Sequence, residues 1–325
     1  MFNFNPQEKK DNKNNNNIND MLSFLGGSSL GGTQKKKFTF FEDDFSKKNS
    51  NKDNSQLSSK NSEKNYFFKS FNYQEDKNIK YRQSMEDIGV MLPDFIPEKK
   101  LSLFGIFDGH GGNDVVKYIK NRLPEIIKTN ITNNNNDSIE NSLISAFNKI
   151  DEELKFYDSE YTGSTATILL FQDNILYCAN VGDSTAFIVY DNYIKKISTD
   201  HKCTNPKEEE RILLKGGKIT KNRVMGQLVL SRSLGDLYCK KFGVSNIPDI
   251  SINKLDRNVK YIVVASDGIW DVVKDNELLE LSGNRKNAEG LCKDLVKLSI
   301  NKETKDMLVV LLFLLIFNLI FKFNN

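Results

Sequence analysis

A short apolar run that ends in polar residues and glycines limits the fold of this chain more than any other feature. Residues 103–112 read Leu-Phe-Gly-Ile-Phe-Asp-Gly-His-Gly-Gly. The apolar part is too short for a typical helix and too apolar for a surface strand, so it indicates a buried β-strand. Asp108 and His110 stand where this strand ends, and the neighbouring glycines let backbone groups approach a ligand closely. We therefore predict that the strand delivers a metal ligand and a proton donor into a cleft.

A second candidate strand ends in the same way. Residues 261–271 read Tyr-Ile-Val-Val-Ala-Ser-Asp-Gly-Ile-Trp-Asp, so an Asp267-Gly268 pair follows the apolar run after one serine. An isolated Asp-Gly pair is commonly an ordinary turn. Two such pairs, each at the end of an apolar strand, instead favour one shared site that is rich in carboxylates.

Composition divides the chain into three parts. Residues 1–65 are rich in Asn, Lys, Ser and Asp and carry almost no apolar periodicity, which predicts a disordered tail. Residues 66–317 are predicted to form one large domain, because the candidate ligands are spread along their whole length. Residues 318–325 are predicted to be an apolar C-terminal tail.

Charge and cysteine content narrow the classes of function. The formal net charge is only +3, which does not by itself indicate binding to nucleic acid. The four cysteines form no Cys-x-x-Cys pair, which predicts reduced thiols, no zinc site and a cytoplasmic or nuclear location. The apolar run 308–321 is shorter than the about 20 residues that span a bilayer, which favours a core strand followed by a tail over the alternative, a membrane anchor.

Apolar spacing predicts a mixture of helices and strands in the domain. Helical spacing occurs over residues 115–129, 139–157, 206–215, 277–282 and 288–299. Short apolar runs predict strands at residues 88–92, 101–108, 165–171, 175–181, 186–190, 193–197, 227–230 and 260–266, with a final core strand from Met307. Strand groups interrupted by helical pairs indicate packed antiparallel sheets with helices outside them.

Another cluster of charged residues comes just before the first of these strands. Arg82 lies four residues ahead of the adjacent carboxylates Glu86 and Asp87. Arginine is the natural bidentate clamp for a phosphoryl group, and carboxylates are hard oxygen ligands suited to Mg²⁺ or Mn²⁺. Alone, such a cluster is usually a surface ion pair. It gains weight from the other carboxylates that the two strands supply.

Eight short motifs follow one another in a fixed order along residues 79–310. They are Arg82 to Asp87, Phe107 to Gly112, Gly163 to Ala166, Asn180 to Ser184, Asp200 to Lys202, Leu230 to Asp236, Pro248 to Ile250 and Ser266 to Asp271. In order and residue type they resemble the metal-dependent Ser/Thr protein phosphatases of the type 2C family. The resemblance implies an α+β fold, a four-layer αββα sandwich in which two packed antiparallel sheets are flanked by helices, with a binuclear metal site at one end.

The resemblance also implies a set of metal ligands for two Mg²⁺ or Mn²⁺ ions and a third, weakly bound one. Asp108 matches the carboxylate that bridges two metals, and Gly109 would offer its carbonyl oxygen to one of them. The remaining matches are Asp267 for the first metal, Glu86 for the second with Asp87 beside it, and Asp183 and Asp271 for the third.

The activity that the resemblance implies is hydrolysis of phosphoserine and phosphothreonine in proteins. A metal-bridged hydroxide would attack the phosphorus atom, Arg82 would position the phosphate, and His110 would protonate the departing alkoxide. Phosphorylated proteins are then the expected partners. We expect a monomeric catalytic domain that binds neither nucleic acid nor a membrane.

The chain departs from the family pattern at two places. Thr185 follows Gly-Asp-Ser where the family usually has arginine. Before the last strand the family has Asp-Asn, and its Asp is another ligand of the first metal, whereas this chain has Lys305-Asp306-Met307. Either Asp306 is the ligand or Lys305 occupies the ligand position. We favour Asp306, because a loop absorbs a deletion more easily than a metal site accepts a cation.

Two other functions compete with the phosphatase. A pseudophosphatase would keep the sandwich as a binding or scaffold module with an impaired metal site. Another binuclear hydrolase, such as a phosphodiesterase, is disfavoured because no part of the sequence resembles a groove for nucleic acid. Three polar residues are interpreted as structural: His201 as a hydrogen-bonding residue of a loop or the core, and Asp236 and Asp249 as residues of loop geometry and strand entry.

Overall fold

The computed structural model describes residues 68–133 and 137–315. The predicted disordered tail at residues 1–65 and the predicted apolar tail at residues 318–325 lie outside these ranges.

Short strands and a smaller number of helices alternate along the described residues. The strands are β1 (Phe68–Asp76), β2 (Asp87–Ile96), β3 (Leu101–His110), β4 (Gly163–Ser164), β5 (Ala166–Gln172), β6 (Ile175–Val181), β7 (Thr185–Tyr190), β8 (Ile194–Lys196), β9 (Ile219–Thr220), β10 (Arg223–Val224), β11 (Leu234–Gly235), β12 (Asp249–Lys254), β13 (Val259–Ala265) and β14 (Leu308–Leu315). The helices are α1 (Asn113–Asn133), α2 (Ile139–Leu154), α3 (Pro206–Leu214), α4 (Leu237–Lys240), α5 (Asp267–Trp270), α6 (Asp275–Asn284) and α7 (Ala288–Asn301), and Pro97–Lys99 form one 3₁₀ turn.

Two antiparallel sheets make up the centre of the domain. The first has the order β1-β14-β13-β7-β8, and the second has the order β11-β4-β3-β5-β6-β12 with β2 also paired to β3. The sheets face each other through aromatic side chains. The rings of Phe104 on β3 and Phe313 on β14 lie 4.6 Å apart, centroid to centroid, in an edge-to-face arrangement. The inner layers are therefore sheet against sheet.

Strand β3 carries apolar side chains on both faces over most of its length because helices cover its second face. Successive side chains of a strand point to opposite faces, so Phe104 and Ile106 enter the core between the sheets. Leu103 and Phe107 point the other way and pack with apolar side chains of α1 and α2. Apolar side chains of α7 cover the outer face of the first sheet in the same manner. The predicted four-layer αββα sandwich is confirmed.

The final apolar run enters the domain as a central strand. β14 pairs with β1 on one side and with β13 on the other. Its residues from Leu308 to Phe313 are completely buried, so this strand belongs to the core. No helix within the described ranges is long and apolar enough to cross a membrane.

One strand predicted from the sequence is absent, and some observed strands were not predicted. Residues 227–230 do not form the predicted strand, since Leu228 and Leu230 make only isolated bridges to Val224 and Lys202. The neighbouring strands β9 and β10 have two residues each and are too short to extend a sheet there. Strand β1 was not predicted, because polar residues such as Asn72 interrupt its apolar pattern. Strand β12 begins at Asp249, the residue interpreted as one of strand entry, but its extent was not predicted.

Candidate metal centre and active site

Strand pairing places the first two carboxylates side by side. Asp87 begins β2 and lies directly opposite Asp108 on β3 in the antiparallel register. Asp267 begins the short helix α5, separated by one residue from the end of β13, and Asp183 lies in the turn between β6 and β7. One end of both sheets thus collects carboxylates from four separate segments of the chain.

These carboxylates lie close enough to share a cation. Ligand oxygens of Asp108, Asp183 and Asp267 are all within 4.8 Å of one another. Six of the predicted site residues line one cavity of about 520 Å³: Asp108, His110, Asp183, Asp267, Asp271 and Asp306. Two further predicted site residues are neighbours of Asp108. Gly109 follows it in β3, and Asp87 is its cross-strand partner on β2.

Burial, together with the crowding of like charges, raises the pKa of several of these carboxylates. Burial, together with the charge of Asp306, raises the pKa of Asp87 to about 7. Burial and the neighbouring Asp183 raise the pKa of Asp267 to about 8, and the pKa of Asp108 lies well above its ordinary value for the same reasons. One oxygen of Asp87, Oδ1, is buried without a hydrogen-bond partner. Excess negative charge and a bare carboxylate oxygen are what a hard divalent cation such as Mg²⁺ or Mn²⁺ would satisfy.

Glu86 is held beside the cluster by short-range hydrogen bonds. Its Oε1 accepts from the hydroxyl of Ser84 at 2.7 Å, and its Oε2 accepts from the backbone N–H of Gly112 at 3.3 Å. The backbone carbonyl of Glu86 accepts from Gly109 at 3.2 Å. A Cβ at position 109 would lie 2.8 Å from that carbonyl oxygen, so glycine is required for this close approach.

Arg82 reaches the cluster through Asp306. Its Nη2 lies 2.7 Å from Asp306 Oδ2, and its Nε donates to the backbone carbonyl of Lys305 at 3.2 Å. The side chain of Asp306 therefore lies in the carboxylate cluster, while Lys305 meets Arg82 through its backbone. This placement fits Asp306 as the residue that corresponds to the family's ligand.

A lysine accompanies the two carboxylates assigned to a third metal. The Nζ of Lys202 lies 3.1 Å from Asp183 Oδ2 and 3.7 Å from Asp271 Oδ1. Burial lowers the pKa of Lys202, but these carboxylates outweigh it and raise that pKa to about 12. The Asp-His-Lys motif was part of the resemblance, yet no role had been assigned to its lysine. Its position between Asp183 and Asp271 depends on contacts that sequence spacing does not reveal.

His110 is paired with a residue that was interpreted as structural. Its Nε2 lies 2.7 Å from Oδ1 of Asp236, which is almost fully buried. Burial lowers the pKa of His110, but the hydrogen bond to Asp236 outweighs this effect and leaves the pKa raised. Asp236 thus adjoins the site and does more than shape a loop.

The other two residues interpreted as structural pair with each other and do not line the cavity. His201 is fully buried, its Nδ1 accepts from the backbone N–H of Gly182 at 3.2 Å, and its Nε2 lies 3.2 Å from Asp249 Oδ2. Thr185, at the position where the family usually has arginine, donates its hydroxyl to Asp200 at 2.7 Å.

Comparison with known proteins gives a consistent family assignment. Residues 71–308 match the family model described as protein phosphatase 2C. Protein phosphatase 2C 1 of Paramecium tetraurelia is 33% identical over 255 residues, which cover 71% of this chain and 82% of that protein. Protein phosphatase 2C homolog 1 of Saccharomyces cerevisiae is 30% identical over 254 residues, which cover 73% of this chain and 90% of that protein.

Solved structures show the same fold at lower sequence identity. The serine-threonine phosphatase 2C of Toxoplasma gondii superposes with a TM-score of 0.65 at 18% identity, covering 76% of this chain and 95% of that one. A sex determining protein of C. elegans superposes with a TM-score of 0.69 at 22% identity, covering 78% of this chain and 66% of that one.

Proposed function

Because the chain belongs to the protein phosphatase 2C family, whose members are protein serine/threonine phosphatases, we propose that it uses bound divalent metal ions to hydrolyse phosphoserine and phosphothreonine in proteins. One observation carries the mechanistic part of this proposal. The oxygens of Asp108, Asp183 and Asp267 converge within 4.8 Å in a cavity that also contains His110.

The metal ligands come from this carboxylate cluster. Asp108, Asp267 and Asp306 would hold the ions together with Glu86 and the carbonyl oxygen of Gly109, and the donor set suits Mg²⁺ or Mn²⁺. When bound, two such ions lower the pKa of a water molecule and neutralise charge on phosphoryl oxygens. Asp87 supports the cluster from β2, and its bare Oδ1 is available to a ligand or an ordered water.

Arg82 and His110 handle the substrate. The guanidinium of Arg82 is partly exposed and presents N–H groups that bind phosphoryl oxygens in a bidentate manner. His110 lines the cavity, where its imidazolium donates a proton to the departing serine or threonine oxygen. That proton matters because an alkoxide is a poor leaving group.

Phosphorylated proteins of the cytoplasm or nucleus are the proposed substrates. The four cysteines are all buried and free, which suits a reducing compartment. Reduced thiols are compatible with either compartment. The substrate class is inferred from the chemistry of the site and not from the cysteines.

Release of inorganic phosphate from a phosphothreonine peptide tests the proposal. We expect the purified protein to turn over with Mn²⁺ and to stop when a chelator is added. Asp108→Ala should abolish turnover, whereas Asp294→Ala, which removes a partly exposed partner of Arg285 outside the cavity, should leave it unchanged. Metal-independent turnover, or full activity in Asp108→Ala, would contradict the proposal.

A further inference from the structure

His110 is hydrogen-bonded to a carboxylate from a distant segment of the chain. Its partner Asp236 is 126 residues away along the chain and is brought to it by two short strand pairings. β3 pairs with β4 at His110 and Gly163, and β4 pairs with β11 at Gly163 and Gly235. Asp236 follows β11 directly. The sheet corner therefore sets the distance between the two side chains.

Both oxygens of the Asp236 carboxylate are engaged. Oδ1 lies 2.7 Å from His110 Nε2, and Oδ2 accepts from the buried hydroxyl of Ser233 at 2.6 Å. Asp236 itself adopts a left-handed backbone conformation with φ of 52°, and its N–H donates to the carbonyl of Thr162 at 3.0 Å. A carboxylate held at both oxygens and through its backbone is fixed in orientation.

Neighbouring residues hold the loop that carries Asp236. Asp151 of α2 accepts from the backbone N–H of Gly235 at 2.9 Å and from Lys240 Nζ at 2.7 Å. Lys240 also donates to the carbonyl of Ser233 at 2.8 Å. A Cβ at Gly163 would lie 2.3 Å from Asp236 Oδ2, so the space for the carboxylate exists only because residue 163 is glycine.

We propose that Asp236 is the positioning residue of the general acid: it binds Nε2–H of His110 and thereby directs Nδ1–H to the departing serine or threonine oxygen. The carboxylate accepts hydrogen bonds and donates none when ionised, so Nε2 keeps its proton and Nδ1 is the nitrogen left for the substrate. This inference rests on the proposed function only in taking His110 as the proton donor.

The proton and electron balance of the step is simple. Water forms a bond to phosphorus, and the bond from phosphorus to the side-chain oxygen breaks with its electron pair passing to that oxygen. Nδ1–H of the imidazolium donates its proton there, which leaves a neutral imidazole with Nε2–H still bound to Asp236. The water releases a proton to solvent, and solvent restores the imidazolium. Asp236 remains ionised throughout.

The dependence of kcat on the leaving group distinguishes a positioning role of Asp236 from a purely structural one. Asp236→Asn should lower kcat for a phosphothreonine peptide about 100-fold but for p-nitrophenyl phosphate by less than about threefold, because the aryl leaving group needs little protonation. Adding Asp236→Asn to His110→Ala should cause no further loss, since both remove the same function. Asp249→Asn is the matched control, because it alters the carboxylate beside the chain's other histidine and should leave the substrate ratio unchanged.

A spectroscopic measurement gives a readout besides activity. The chain contains only two histidines, so isotope-labelled histidine gives two sets of ring-nitrogen NMR signals, and a His201→Gln variant assigns them. In metal-free protein we expect neutral His110 to carry its proton on Nε2, and the Asp236→Asn and Ser233→Ala variants to shift those signals. If Asp236→Asn does not fold, Ser233→Ala still decides the outcome.

The results that would overturn the role of Asp236 differ from those that would contradict the phosphatase function. Equal loss on both substrates in Asp236→Asn, additive loss in the double variant, or a proton on Nδ1 of neutral His110 would overturn the positioning role. Wild-type protein that hydrolyses neither substrate would instead contradict the proposed function, while the NMR signals would still support or overturn the placement of the ring.

Discussion

Arg82 and Asp306 form an ion pair in which Nη2 and Oδ2 are 2.7 Å apart. The pair joins the residue proposed to bind phosphate to a carboxylate proposed to bind metal. Both side chains are about one-third to two-fifths exposed, at 43% and 34%, so water screens the attraction. Its contribution to stability is therefore small, below ~1 kcal/mol, and its importance lies in the site.

Asp306→Asn should weaken binding of Mn²⁺ by at least about tenfold, the lower bound for loss of even an outer partner of a metal site. The melting temperature of the metal-free domain should hardly change, because the ion pair is weak. Isothermal calorimetry measures the affinity. Lys305→Ala is the matched control, since Arg82 bonds only to the backbone carbonyl of that residue among the contacts described. Unchanged affinity in Asp306→Asn would remove this residue from the proposed ligand set.

The metal-free domain should become less stable as pH rises from about 4 to about 8. Folding raises the pKa of Asp87 to about 7 and of Asp267 to about 8, so the folded state retains protons that the unfolded state has released. Their contribution is fully present below the unfolded pKa near 3.8 and is lost as pH passes through the folded values. Denaturation with urea in a chelator, at several pH values, measures the trend.

Added Mn²⁺ should stabilise the domain more at pH 8 than at pH 5, because protons compete with the ion for the same oxygens. Asp267→Asn should flatten both trends. Stability of the metal-free protein that increases steadily over this range would contradict the repulsion described for the cluster.

Lys202→Met should strengthen binding of a third Mn²⁺ by about tenfold, equivalent to ~1.4 kcal/mol. The ammonium of Lys202 lies 3.1 Å from Asp183 and 3.7 Å from Asp271, and its removal leaves both carboxylates without that cation. Lys196→Met removes a comparable but more exposed pair with Asp200 and should have no effect. Weaker or unchanged binding in Lys202→Met would show that the lysine does not compete with metal there.

Glu208→Gln should destabilise the domain by about 3 kcal/mol, the cost of breaking a buried ion pair. Burial alone raises the pKa of Glu208, but hydrogen bonds from Arg232 and Arg211 outweigh it and lower that pKa to about 2. The stabilisation is present above the unfolded pKa of 4.5 and is lost as pH falls toward 2.

Urea denaturation at pH 7 and pH 3 measures this effect. The difference between wild type and Glu208→Gln should shrink at the lower pH. Glu289→Gln, which removes an exposed partner of Lys293, is the control and should cost little at either pH. An equal difference at both pH values would assign the loss to packing and not to charge.

The site carboxylates at the ends of apolar strands were predictable, because the apolar run that precedes each of them is visible in the local sequence. Asp108 and Asp267 each end a continuous apolar run, and the structure brings both into one cavity. The family motifs added Asp183 and Asp271, and the four-layer fold followed from the same resemblance. Before β14 the sequence left either Asp306 or Lys305 at the ligand position, and we favoured Asp306. The structure places the side chain of Asp306 beside Arg82.

Pairings between distant segments were not predictable from spacing. Asp236 was interpreted as a residue of loop geometry, and its contact with His110 spans 126 positions of the chain. The contact between Lys202 and Asp271 likewise joins residues that are far apart in the sequence. Strand β1 escaped detection because its pairing with β14, and not its own apolar pattern, makes it a strand.

Calorimetric titration of the folded, metal-free protein with Mn²⁺ tests the central claim most directly. The carboxylate cluster predicts saturable binding of at least two ions, with binding lost or reduced in Asp108→Ala and Asp267→Ala and preserved in Asp294→Ala. A folded wild-type protein that shows no saturable binding of Mn²⁺ or Mg²⁺ would contradict the account.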